Sequence, residues 1–250
     1  MRRFVAVFAL AILIISAAPI KAAAATLPDD VKINLNGTGG PQSLSVPVQI
    51  LIFLTLLSFI PALLISLTSF TRIVVVFHFL RQALGTNETP SNQIVIGLTL
   101  FLTLFVMSPV AEQIHHEALQ PFMDGNITQG DAFAKAVVPV RNFMFKYTRE
   151  KDLALFLSIA KRPAPSKPDD IPTTVVIPAF MISELKTAFQ IGFVVFLPFL
   201  VIDMVVATVL LSMGMLQLPP VMVSMPFKIL LFIMVDGWNL IVGSLVKSFY

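Results

Sequence analysis

The sequence predicts an all-α membrane protein, with two long kinked apolar hairpins flanking a polar helical segment. Three observations carry this. Of 250 residues, 56% are hydrophobic and 12% charged, against about 45–50% and about 25% in a soluble domain. Mean hydropathy is +0.88, and 22 residues are Phe. The charges are uneven: sixteen lie in residues 121–186, five in 48–120 and four in 187–250. Such a composition excludes a disordered or collagen-like chain and argues against an ordinary soluble enzyme.

The formal charge of +3 would hint at an anionic partner, but its location removes the hint. Arg2, Arg3 and Lys21 precede Thr26, and the remainder carries fourteen bases and fourteen acids. Residues 1–25 read as a secretory signal peptide. Arg2 and Arg3 form the basic start, Phe4 to Ile15 the apolar run, and Ala22 to Ala25 the small-residue cleavage site. An uncleaved first membrane helix is the alternative; the short run and the alanines favour cleavage. Residues 26–47, with Asn36-Gly37 and Gly39-Gly40-Pro41, read as a flexible linker. There is no cysteine, hence no disulfide or thiol chemistry.

The first apolar hairpin is expected over 48–111. From Val48 no charge occurs before Arg72, and about 20 apolar residues suffice to cross a bilayer. Pro61 should kink this helix. Gly85 suits a helix C′ position and Thr89-Pro90 an N-cap and first helical residue. The second helix is expected from about Ile94 to Ala111, with Pro109 near its end.

Residues 112–177 read as a polar helical segment, with helices at Asp131–Tyr147 and Glu150–Ala160 and an extended Pro-rich link from Pro163 to Pro172. The second apolar hairpin is expected over 178–250, broken at Met213-Gly214-Met215-Leu216-Gln217-Leu218-Pro219-Pro220, because adjacent prolines cannot sit inside a regular helix. Four apolar helices after a cleaved signal put the middle segment outside the cytoplasm. Its eight Lys/Arg, against Arg72 and Arg81 in the first hairpin, conflict with the positive-inside rule, which is weak for long loops.

Ionisable residues inside apolar helices are functional candidates by default. Here they are Glu184, Lys186, Asp203, Lys228 and Asp236. A Glu184 or Asp203 carboxylate facing Lys228 would neutralise both, within a chain or between copies; Glu184 and Lys186 could instead sit unpaired at the water interface. Asp203 and Asp236 invite comparison with a two-carboxylate protease site, but Val235-Asp236-Gly237-Trp238 lacks the Gly-x-Gly-Asp context. Glu112, His115, His116 and Glu117 have one Glu-x-x-His spacing and no second such motif, so a polar helix end is the reading and no metal site is assigned. His78 reads as a packed or helix-bonded histidine rather than a ligand. Met204, Met213, Met215, Met222 and Met225 surround the Pro-Pro turn; they either fill irregular gaps or form a soft seal. No phosphate-binding loop, nucleophile elbow or nucleic-acid patch occurs, so no catalytic residue and no cofactor is assigned.

Three stretches resemble the FliP family. Pro61 to Ile73, Leu80-Arg81-Gln82-Ala83-Leu84-Gly85-Thr86 and Thr89-Pro90-Ser91-Asn92-Gln93 are similar to its first signature. Ser183-Glu184-Leu185-Lys186 through Gly192-Phe193, followed by Pro198 to Asp203, is similar to its second. Pro226-Phe227-Lys228, Val235 to Trp238 and Gly243-Ser244 are similar to its C-terminal part. The resemblance implies a non-enzymatic, pore-forming subunit of the flagellar type III protein export gate, needed for flagellum assembly. It implies several copies in a helical oligomeric pore with FliQ, FliR and other export-apparatus membrane proteins. The pore would sit in the bacterial inner membrane at the flagellar basal body, with a periplasmic middle segment, and pass unfolded flagellar axial proteins. It implies an ion pair between copies at Glu184 and Lys228. It also implies a Met-rich gasket, here Met215 with Met213 and Leu216; Leu216 and Gln217 depart from the family's run of methionines. The alternative is a secondary transporter with its site at Asp203.

Overall fold

The computed structural model describes residues 46–86, 89–161, 170–215 and 217–250, and among these the long elements are all helices. The expected signal peptide and linker lie outside them, except that Val46 and Pro47 already belong to the first helix. Leu216 and residues 162–169 of the Pro-rich link also lie outside. The helices are α1 (Val46–Leu67), α2 (Phe70–Ala83), α3 (Asn92–Val106), α4 (Ser108–Met123), α5 (Gln129–Tyr147), α6 (Glu150–Ile159), α7 (Thr173–Ser212), α8 (Pro220–Met234) and α9 (Gly237–Lys247).

Residues up to Leu57 group apart from Ser58–Tyr250. The described part of the former is the first half of α1, apolar with exposed side chains. In the latter, Ile73, Val76, Phe77 and Leu80 of α2 pack with Val176 and Phe180 of α7 and with Leu245 and Phe249 near the chain's end.

The breaks have local causes. Helix α1 continues through Pro61, and the chain breaks at Thr68–Ser69. Hydroxyls serve the backbone there: Thr71 Oγ1 donates to Ile65 O at 2.8 Å, and Phe70 N–H donates to Thr68 Oγ1 at 3.3 Å. Helices α3 and α4 meet at 53° around Met107. Pro109 has no N–H for Phe105 O, and Ser108 Oγ donates to that carbonyl instead, at 2.8 Å. Within α4 the turn His115–Leu119 is π-helical, and Gln120 N–H reaches back five residues to His115 O.

Both hairpin turns begin with a Schellman cap, in which a left-handed residue closes the helix. At Gly85 (φ +77°), Gly85 N–H donates to Gln82 O and Thr86 N–H to Arg81 O. At Gly214 (φ +75°), Gly214 N–H donates to Leu211 O and Met215 N–H to Leu210 O. After the second turn Pro219 is extended and Pro220 starts α8. Helices α8 and α9 are bent by 66°, at Asp236, which is itself left-handed (φ 50°, ψ 52°).

Among the described residues two helices, α1 (over Ile50–Leu67) and α7, are long and apolar enough to cross a membrane, or up to four spans if each bent pair counts as one. Helix α7 has 40 residues, about 60 Å at 1.5 Å per residue. It starts at Thr173, five residues before the expected apolar block. Its first half buries Val176, Ala179, Phe180, Ser183, Glu184 and Ala188. Its second half leaves Phe193, Val194, Val201, Met204, Val205 and Val209 exposed.

Candidate functional site

The charged groups converge on α7. Each of the three ion pairs among the described residues joins α7 to a different helix. Nε and Nη2 of Arg72 on α2 donate to the two carboxylate oxygens of Glu184, the first at 2.9 Å. Both side chains are buried, and the remaining donor is used as well. Nη1 donates to the carbonyl and the hydroxyl of Ser248, each at 3.0 Å. The guanidinium lies over the Phe249 ring at 3.8 Å and near Tyr147 at 5.3 Å, and the Tyr147 hydroxyl donates to Phe249 O. One cation therefore binds α2, α5, α7 and the segment after α9, with a fork geometry that a lysine could not provide.

The second pair ties α6 to α7. Lys186 Nζ donates to Asp152 Oδ1 and Ser183 Oγ donates to Asp152 Oδ2 at 2.8 Å. Arg149 N–H donates to Ser183 Oγ at 3.0 Å, and Arg149 Nη2 reaches Thr187 Oγ1 and Gln190 Oε1 at 3.1 and 2.6 Å. Burial alone would raise the Asp152 carboxyl. Hydrogen bonds from Lys186 and Ser183, with the charges of Lys186 and Arg149, outweigh it and hold the group below its ordinary value. At the start of α7, Arg141 of α5 donates to Thr173 Oγ1 at 2.9 Å and to Ile171 O.

The third pair joins α7 to α8. Lys228 Nζ donates to Asp203 Oδ2 at 2.6 Å, and Ser224 Oγ donates to Asp203 Oδ1. Of the two carboxylates the sequence offers Lys228, the chain brings Asp203 to it. Glu184, expected to meet Lys228 between copies, is held within the chain by Arg72. Within one chain this follows from register. Glu184 and Asp203 are 19 residues apart on one helix, about 28 Å, so the two acids face different neighbours.

Asp236 has a different place from the one expected. It is exposed at the α8–α9 bend and accepts from Asn239 Nδ2 at 3.2 Å, so it and Asp203 have separate partners. His78 is exposed, so it is not packed in the core. His115 and His116 contact edge to face, 5.4 Å between ring centres, and no group of three or more His, Cys, Asp or Glu among the described residues could hold a metal. Met213 and Met215 flank Gly214 on the α7–α8 turn, 62% and 43% exposed; Leu216 lies outside the described residues.

Sequence reasoning missed Arg72 as the partner of Glu184, although an arginine in an apolar block is itself a signal. It also missed Asp152 and Arg149, which the polar segment hid among solvated charges, and Ser183 of α7, which bonds to both.

Fold and site together define a multi-helix protein with helices apolar enough for a membrane, whose buried charges bind helix to helix. The FliP family model matches residues 51–245. The flagellar biosynthetic protein FliP of Bacillus subtilis is 56% identical over 87% of this chain and 98% of that protein. Those of Pectobacterium carotovorum and Aquifex aeolicus are 54% and 50% identical, each over 84% of this chain and over 82% and 89% of their own lengths. The chain belongs to the FliP family.

Proposed function

We propose that this chain is a non-enzymatic subunit of the flagellar protein-export gate in the bacterial inner membrane. Several copies, with FliQ, FliR and other export-apparatus membrane proteins, surround a passage for unfolded flagellar axial proteins, and the segment between the hairpins is periplasmic. Family membership supports the flagellar role. The observation that carries the rest is α7. A helix of about 60 Å is twice the roughly 30 Å hydrocarbon core, and the second half carries exposed Phe193, Val194, Val201, Met204, Val205 and Val209. Exposed apolar surface of this extent marks contact with lipid or with protein neighbours. The in-chain pairs keep the long helices in register for such contacts.

Met215, with Met213 and Leu216, is proposed as the seal of the resting passage. Thioether side chains are soft enough to close it and yield to cargo, and Gly214 ends α7 so that they stand on a turn. Met215→Ala should make reconstituted vesicles leaky to small ions; unchanged permeability would overturn the seal. A gate subunit should also purify as a multi-copy assembly with FliQ and FliR. Purification as a small self-contained oligomer would instead fit a transporter.

A further inference from the structure

We propose that the junction of α1 and α2 is a two-position hinge, in which the Ile65 carbonyl passes between the hydroxyls of Thr71 and Ser69. Ser69 Oγ is fully buried, and among the described residues it is the one buried side-chain N or O atom without a hydrogen bond. A dry, unpaired hydroxyl costs stability and calls for a cause. The chain's other helical hydroxyls show which partner Ser69 lacks. Ser66, Thr99, Thr103 and Thr208 each donate to the carbonyl four residues back, at 2.7–2.8 Å. For Ser69 that carbonyl is Ile65 O, and it is taken. Thr71 Oγ1 donates to it at 2.8 Å, from six residues on. Six residues are about 9 Å along a continuous helix, so Thr71 reaches Ile65 only while the helix is broken. In a straightened junction the four-residue pattern gives Ser69 Oγ to Ile65 O and Thr71 Oγ1 to Leu67 O. Both hydroxyls are then paired, whereas the broken form pairs one and leaves the other alone.

The backbone is poised for the change. Ser69 occupies the N-cap position of α2, yet its φ of −67° and ψ of −3° are right-handed helical, and its side chain caps nothing. A serine that fixes a helix start is extended, and its oxygen accepts from the second or third helical residue. Ile73 N–H already donates to Ser69 O at 3.3 Å, in the helical pattern. Turning ψ of Ser69 by about 40° brings it to the value of a continuous helix. The two sides of the junction also differ in anchorage. On one side Arg72, Ile73 and Val76 of α2 are buried, and Arg72 is held by Glu184. On the other, Ser58 to Ile65 of α1 are exposed. The hinge therefore turns a lightly held apolar helix end on a fixed base.

The chain has no cysteine, so Ile60→Cys and His78→Cys, both at exposed positions, give two unique sites for nitroxide labels. The labelled full-length chain, diluted with unlabelled copies in lipid vesicles, would be read by pulsed electron spin resonance. A continuous helix sets the two positions about 27 Å apart, and a bend brings them closer. Two distances are expected. Ser69→Ala removes a bond made only in the straight form and should cut the long-to-short ratio about fivefold, the worth of one hydrogen bond. Thr71→Val takes from the broken form its donor to Ile65 O and should raise the ratio. A single distance with Ser69 and Thr71 both in place would overturn the hinge, and that measurement needs neither variant to fold. A ratio unmoved by Ser69→Ala, as when water serves the hydroxyl, or lowered by Thr71→Val would equally overturn it.

Discussion

The guanidinium of Arg72 and the carboxylate of Glu184 meet edge to edge, 112 residues apart in the chain and both buried. Removing one partner of a buried pair leaves an uncompensated charge and costs about 3–5 kcal/mol, whereas replacing both by apolar residues is often neutral. Glu184→Leu alone should therefore destabilise the purified chain strongly in a denaturation series. Arg72→Met combined with Glu184→Leu should recover much of that loss, though not all, because Arg72 also holds Ser248 and stacks on Phe249. A double variant no more stable than the single would show that these other contacts, and not the pair, dominate.

The Asp152 carboxyl gives a pH dependence with a definite sign. Its folded pKa lies below the ordinary value, so the folded state favours the ionised form. The stabilisation is present above the unfolded carboxylate range, near pH 4, and is lost as pH falls through the lowered folded value. The gap in melting temperature between the unaltered chain and Asp152→Asn should be full at pH 6 and shrink toward pH 2. A gap that stays constant across this range would mean that Asp152 contributes only as a neutral hydrogen-bond acceptor.

What the sequence revealed, and what it hid, divides along a physical line. Features that depend on a few consecutive residues were mostly legible, the exception being Thr89-Pro90, which precede α3 while Ser91 takes its N-cap position. Gly85 and Gly214 end helices because each takes a left-handed backbone, and α5 and α6 fall within two residues of their expected bounds. The bend before Pro109 follows from its missing N–H. Asp236 carried a local signal that was overlooked. Asp-Gly is a turn dipeptide, and its aspartate marks the α8–α9 bend. The partners of Glu184 and Lys228 were illegible for a different reason. Pairing is decided by which helix lies beside each turn of α7, a long-range fact that types of residue alone leave open.

The packing that brings Arg72 to Glu184 depends on Gly192. A Cβ there would stand 2.5 and 2.7 Å from ring atoms of Phe79 and 3.0 Å from its Cβ. Rotating the ring cannot relieve the last contact, and the ring is also held edge to face by Phe189 at 5.3 Å. Gly192→Ala should therefore push α2 from α7 and cost about 1–3 kcal/mol, the usual penalty of overpacking. Adding Phe79→Ala should cost less in that background than in the unaltered chain, since the clash is then gone. Fully additive effects in unfolding measurements would mean that the two helices adjust without loss.

Lys228 offers a test of pairing within the chain against pairing between copies. Within the chain it binds Asp203, with Ser224 on the other carboxylate oxygen. Lys228→Asp places two acids side by side at that point and should reduce both the amount of protein in the membrane and its assembly on native gels. Asp203→Lys added to it restores opposite charges in the same geometry, so recovery of both measures is expected. Glu184→Lys added to Lys228→Asp should not recover them, because it sets a second cation against Arg72. The reverse pattern, recovery with Glu184→Lys and none with Asp203→Lys, would show that Lys228 leaves Asp203 on assembly and meets Glu184 of a neighbouring copy. The two exchanges thus separate a charge that shapes the subunit from one that joins subunits.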